Sequence, residues 1–316
     1  MAFRTRLSRL LGVEHPLIQG GMAWTATAEL AAAVSNAGAL GIIGAGQMPT
    51  DVLRTEIRNA KTLTDAPFGV NLMLLTPHID DIVQMVLEEG VDVVTTGAGN
   101  PSKYMTALKD KGIKVLPIAP SVALAKRMES IGADAIIGEG MEAGGHIGDL
   151  TTMVLIPQLV DAVEIPVVGA GGIADGRGVA AAFALGAEGV QVGTRFMCAE
   201  ECTIHPDVKA QVVRAKDRDT VVTGRSTGHP VRVLKNRLSR QIEVLDRNNQ
   251  PDEIEALGSG RLMLAMRQGD VDMGSLMAGQ AAALVCEIQP AAEIVEQLMS
   301  GAETVMRSLG SIPEVG

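Results

Sequence analysis

Aromatic side chains are scarce in this chain. Phe, Trp and Tyr together make up 2% of 316 residues, with a single Trp and a single Tyr. A flat ligand would have to be held by backbone, Met and Ala rather than stacked between rings. Cysteine is nearly absent as well. Cys198, Cys202 and Cys286 are odd in number and form no C-x-x-C pair. This argues against a disulfide framework or a zinc site and makes a reducing cytoplasm the expected compartment. No apolar run approaches the roughly 18 residues that a membrane-spanning helix needs, so no membrane association is expected. The opening residues, MAFRTRLSRLLGVEHP, are basic with no apolar stretch behind them, and are not expected to be a signal peptide. Positive charge is also short: 27 Lys and Arg face 37 Asp and Glu, for a net −10. Nucleic acid is therefore not an expected partner.

Glycine, by contrast, is plentiful at 36 residues, and 47% of the chain is hydrophobic. Eight short apolar runs recur, at 16–19, 40–43, 68–72, 91–95, 113–118, 133–137, 165–168 and 189–192. Their starts are spaced by roughly 20 to 30 residues, the length of one βα unit. Helical patterns fill the gaps at 27–37, 50–61, 80–89, 102–111, 122–131, 152–163 and 177–185, with Thr50, Ser121 and Asp175 as candidate caps. The runs are apolar throughout, as in parallel strands buried on both faces. The expected fold is an α/β (β/α)8 barrel of the TIM type; an open doubly wound sheet is the alternative. Either architecture binds ligands at the carboxyl ends of its strands. Glycine loops gather there: GGMAW after the first strand, TTGAGN after the fourth, EGMEAGGHIG after the sixth, GAGGIADG after the seventh and GTRF after the eighth. Beyond residue 204 the pattern changes. Residues 205–240 carry nine Lys/Arg and three Asp/Glu, a local balance of +6. A single helix is expected over 253–267 and a last one over about 291–309. Residues 205–280 read as an inserted cap, with 1–204 and 281–316 forming the barrel.

The loop 139–148 concentrates the chemistry. It holds Glu139, Glu142, four glycines and His146. Glycines let a backbone approach a flat ligand closely, and a histidine there can exchange a proton near neutral pH. Glu139 and Glu142 could pair as acid and base, or one or both could bind backbone N–H groups. His15, His78, His205 and His229 read as structural or solvent-facing. Gly169, Gly171 and Gly172 after the seventh strand, with a helix from about Gly176, and Gly193 and Thr194 after the eighth, can offer N–H groups to a phosphate. Residues 169–174 also fit the dinucleotide fingerprint G-x-G-x-x-G/A. They stand in the seventh unit instead of the first, and Gln191 occupies the place where an acid should lie, so a mononucleotide phosphate is favoured. Ordinary tight turns are the remaining reading. Met22, Met73, Met141 and Met277 could wall a flat ring or an acyl tail, or simply fill core. Trp24 reads as a packing residue.

The segments QGGMAW, FGVNLML, VVTTGAGNPSKY, PSVALAKRME, EGMEAGGHIG, AGGIADG, QVGTRF and GDVDMGSLMAGQ, spread over residues 16–280, resemble the flavin-dependent enoyl-acyl-carrier-protein reductases II. The EAGGH loop and glycine phosphate loops are shared with the sister nitronate monooxygenases; GAGNPSKY and PSVALAKRME are more like the reductase. The resemblance implies FMN, with NADH or NADPH as electron source and an enoyl-acyl carrier protein as substrate. It places Gly21, Met22 and Asn71 along the isoalloxazine, and Glu139, Gly144 and Gly145 near the flavin. Gly171, Gly172, Gly193 and Thr194, with Gln191 close by, would hold the ribityl phosphate, and His146 is the active-site histidine. A homodimer is the expected assembly. The family also includes members stimulated by a monovalent cation, and no motif here places one. A nitronate monooxygenase and a non-catalytic flavin-binding barrel are the competing readings.

Overall fold

The structure, a computed structural model, describes residues 3–46 and 48–309. Eight parallel strands carry the fold: β1 Leu17–Gln19, β2 Gly41–Gly44, β3 Phe68–Met73, β4 Val93–Gly97, β5 Lys114–Pro117, β6 Ile136–Glu139, β8 Val167–Ala170 and β9 Gly189–Val192. Each overlaps one of the apolar runs. The strands form two sheets, β2-β3-β4-β5 and β1-β9-β8-β6. Isolated parallel bridges Ile18↔Leu40 and Ile118↔Ile137 join the sheet edges. Neighbours thus follow chain order round a (β/α)8 barrel, and helices alternate with the strands along the chain.

The interior is packed rather than hollow. Ile18, Ile42, Val93, Leu116, Ile137 and Val168 meet inside, and the helix Arg6–Leu11 supplies Leu7 and Leu11 to the same cluster. Leu7 also lies against Gly189, at the start of β9. The helix therefore stops the amino-terminal end and leaves the carboxyl ends free for a ligand. Ser121 and Asp175 cap their helices as expected, accepting from Leu124 N and from Arg177 N and Gly178 N. Thr50 does not; it is the first helical residue behind Pro49 and makes no cap bond. The last helix, Ala291–Leu309, crosses Gly176–Ala184 so closely that a Cβ on Gly176 would lie 2.3 Å from the carbonyl carbon of Gly301.

Residues 205–280 hold the helix Pro206–Arg214, strands β10 Thr220–Thr223 and β11 Val231–Leu234, and the helices Arg237–Arg247, Pro251–Gly258 and Arg261–Gln268. The single helix expected over 253–267 is broken, because Gly260 takes a left-handed φ of 71° between two shorter helices. A three-stranded antiparallel sheet was not foreseen: β10 pairs β11, and β11 pairs β7, Gly145–His146. Val208, Val212, Leu234, Met266 and Leu276 join the same core as the barrel helices, while Leu238, Ile242 and Ile254 form a small cluster of their own. No helix among the described residues is long and apolar enough to cross a membrane.

Candidate active site

A cavity of about 630 Å3 opens at the carboxyl ends of the barrel strands. All twelve residues singled out from the sequence line it: Gly21, Met22, Asn71, Glu139, Gly144, Gly145, His146, Gly171, Gly172, Gln191, Gly193 and Thr194. Met73 and Met277 line it too. Met141 does not, and neither does Trp24, which packs half-buried against the core.

One wall is built by close backbone approach. A Cβ on Gly21 would stand 2.1 Å from the Cβ of Asn71, so only glycine lets the turn after β1 cross that side chain. Asn71 is fixed by its own bond, Nδ2 to Thr95 Oγ1 at 2.9 Å, which leaves its Oδ1 free to accept. The carboxamide of Gln191 makes no hydrogen bond to the described protein. No buried side-chain polar atom there lacks a partner, so this carboxamide opens on the cavity.

The loop after β6 separates the two acids that looked alike in the sequence. Glu142 is committed: its carboxylate accepts from the Thr152 backbone N at 3.0 Å and from Thr152 Oγ1 at 3.0 Å, at the head of the helix Thr152–Val160. An acid–base pair with Glu139 is thereby ruled out, and the backbone-binding alternative holds for Glu142 alone. Glu139 ends β6 half-buried, with no hydrogen bond or cation at its carboxyl among the described residues. Burial pushes it up to about 7. His146 is held by strand pairing, opposite Val231 in β11. Its side chain is exposed at the cavity. Burial first, and the neighbouring His229 second, hold it below the ordinary imidazole value.

The far end suits an anion. Gly171 and Gly172 take left-handed φ values of 94° and 75°. The N–H groups of Gly171, Gly172, Gly193 and Thr194 find no acceptor among the described residues. Thr194 Oγ1 accepts from Gly279 N at 2.9 Å, which leaves its hydroxyl hydrogen to donate. One expected contributor is reduced: in the helix beginning at Gly176, the N–H groups of Arg177 and Gly178 are taken by the Asp175 carboxylate, at 2.9 and 3.3 Å. The anion site is therefore made of glycine amides, not that helix terminus. A rim of small residues also matters, since a Cβ on Gly144 would lie 2.6 Å from the Ala278 carbonyl carbon.

The basic segment 205–240 is divided between buried and exposed positions. Arg232 is 5% exposed and lies in β11; its Nε donates to Met141 O at 3.0 Å. Lys235 is exposed in the following loop, and only Arg237 and Arg240 share a helix. His229, read from sequence as structural or solvent-facing, is exposed and also lines the cavity beside Gly228 and Pro230. The Gly-His-Pro turn leading into a β-rich run was the available signal.

The chain matches the nitronate monooxygenase family over residues 4–84 and 79–301. It belongs to that family. Its structure superposes on that of FabK from Thermotoga maritima with a TM-score of 0.95 and 52% identity, covering 98% of this chain and 99% of that one. A probable nitronate monooxygenase of Staphylococcus saprophyticus is 35% identical, over 97% of this chain and 99% of its own length. A Mycobacterium tuberculosis protein, (3aS,4S,5R,7aS)-5-hydroxy-7a-methyl-1-oxo-octahydro-1H-indene-4-carboxyl-CoA dehydrogenase, is 41% identical over 77% of this chain and 69% of its own. The family and these relatives are oxidoreductases, and the resemblance read from the motifs is borne out.

Proposed function

We propose that this protein is an FMN-dependent reductase of trans-2-enoyl thioesters, drawing on NADH or NADPH and taking its substrate from an acyl carrier protein. The observation that carries the reading is the mixed lining of the cavity. It presents unpaired glycine amides and a threonine hydroxyl, the donor set for a phosphate. The same lining includes the apolar side chains of Leu75, Leu124, Leu262, Met266 and Met277, which suit an acyl chain. Its many glycines suit a flat ring in a chain with few aromatics. The greater likeness to FabK than to the staphylococcal relative supports the same choice.

The residues fit FMN. Gly171, Gly172, Gly193 and Thr194 would hold its phosphate, and Gly21, Asn71 and Gln191 its ring. Bound there, FMN supplies hydride exchange between the nicotinamide and the β-carbon of the enoyl group. Backbone at Gly144 and Gly145 faces the thioester oxygen as enolate charge develops. His146 supplies the α-carbon proton, directly or through one water that it orients. A proton-transfer group of this kind contributes on the order of 100- to 10,000-fold, so His146→Ala should lose that much enoyl reduction while keeping its flavin.

The family name and the staphylococcal relative favour a second reading, nitronate oxidation with O2. An anaerobic spectrum separates the two. Flavin absorbance that bleaches with NAD(P)H and returns on adding crotonyl thioester supports the reductase. Absorbance that NAD(P)H leaves untouched overturns it.

A further inference from the structure

Glu139 is the one acid of the cavity lining whose carboxyl has no partner among the described residues. Glu139 ends β6 in register with Ala170 of β8, which is in turn in register with Gln191 of β9. Its carboxyl and the Gln191 carboxamide therefore rise from the same level of the barrel into the same space. Neither touches a protein hydrogen-bond partner, whereas the second acid of the loop, Glu142, is consumed by Thr152.

The charged groups nearby do not compensate Glu139. Arg232 is turned to Met141 O and Thr220 Oγ1, and the acid that acts on it is Glu142. His146 and His229 stand at the mouth, and burial keeps His146 from holding charge readily. The elements flanking Glu139 offer Ile118, Ala170 and Gln191, none of them charged. An ionised carboxylate with no donor and no cation is strongly disfavoured away from water, and the group takes up a proton instead. A dianionic phosphate bound farther along the same cavity adds to that preference.

We infer that Glu139 is the resident neutral acid of this cavity, donating its O–H to an acceptor on the polar edge of a flat heteroaromatic ligand. The inference rests on the reading above for the ligand being FMN. It makes Glu139 a ligand-gripping residue whose grip depends on its own proton. When the proton leaves to solvent, the electron pair stays on the carboxylate, the donor is lost and a buried negative charge faces the ligand. Raising the pH through the titration of Glu139 should therefore loosen FMN.

Two measurements on the purified full-length protein test this without NAD(P)H or any thioester, so a missing reductase activity leaves them intact. In an infrared titration of the flavin-free protein, a protonated-carboxyl band should disappear with a midpoint near the value of about 7 that burial imposes on Glu139; with FMN bound the midpoint should move up by about one pH unit, and Glu139→Gln should lack that band. FMN affinity, followed by flavin fluorescence, should weaken about tenfold between roughly pH 6 and pH 8.5 in the native protein. In Glu139→Gln, whose amide donates at every pH, it should stay nearly flat. A carboxyl titrating in the ordinary range, or affinity that holds or tightens as pH rises, would overturn the inference. If Glu139→Gln does not fold, the native band and the native affinity profile still decide. A protein that binds no FMN at any pH overturns the flavin reading, and the infrared band then judges the neutral acid separately.

Discussion

Arg232 and Met141 tie the two halves of the site together. The Arg232 Nε donates to the Met141 carbonyl at 3.0 Å and its NH1 group to Thr220 Oγ1 at 3.2 Å, while its backbone lies in register with Gly145. One residue thus holds the loop carrying Glu139 and His146 by both side chain and backbone. Hydrogen bonds from charged groups contribute about 1.5–3 kcal/mol, and truncation also strands a buried carbonyl. Arg232→Ala should lose roughly 2–4 kcal/mol of stability and release FMN faster. Chemical denaturation and flavin dissociation kinetics check both. Arg232→Lys should recover only part of the loss, since an ammonium lacks the fork that reaches two acceptors. A wild-type melting curve in Arg232→Ala would show that the tie is idle.

Gly144 is confined by backbone, not by movable side chains. An added Cβ would meet the Ala278 carbonyl carbon at 2.6 Å and the Gly279 nitrogen at 2.7 Å. Gly279 is the donor to Thr194 at the anion end, so pushing it away disturbs both ends of the cavity. Gly144→Ala is expected to cost about 1–3 kcal/mol, as overpacking does, and to weaken FMN binding more than tenfold. Gly132, with open space around its Cβ position, is the control for adding a methyl where only φ is strained. Equal flavin affinity in the two variants would remove the steric argument.

The barrel was legible because its strands are buried on both faces. Such strands read as unbroken apolar runs, and the glycines that end them stand out from the helices between. The glycine loops at the strand ends and the resemblance together named twelve residues, and all of them line the cavity. What stayed hidden depends on contacts far apart in the chain. Gly145–His146 is too short to read as a strand, and its ladder partner lies well down the chain in Val231–Leu234. Glu139 and Glu142 differ only in whether Thr152 turns its N–H toward them, which no local composition records. The burial of Arg232 was hidden too, because a tally of basic residues says nothing about which of them are buried.

The exposed part of the basic segment bears on the carrier protein. With Arg232 buried, an acidic carrier of the kind proposed would meet Lys235, Arg237 and Arg240, of which Arg237 has Asp272 at 3.8 Å. Exposed charges act mainly on encounter and are screened by salt. Lys235→Glu combined with Arg237→Glu should raise KM for a carrier-linked enoyl substrate about three- to tenfold. KM for the coenzyme A analogue should change by less than twofold, and the difference should shrink as salt is added. Equal increases for both substrates would place the carrier elsewhere.

Glu139 also leaves a mark on folding. Its carboxyl has a folded value of about 7, raised by burial above the ordinary value of 4.5. Between those two values the folded state holds a proton that the unfolded chain has released, so unfolding releases it and stability falls as pH rises. The stabilising contribution is complete near the lower value and gone above the upper one. A shift of this size corresponds to roughly 3 kcal/mol. Urea unfolding of the flavin-free protein should therefore show stability declining by about that amount from pH 5 to pH 8, over and above the other groups that titrate. Glu139→Gln has no proton to lose there and should show a decline smaller by the same amount. Parallel pH profiles for the two proteins would mean that Glu139 is ionised in the fold, with a cation or donor that offsets its burial.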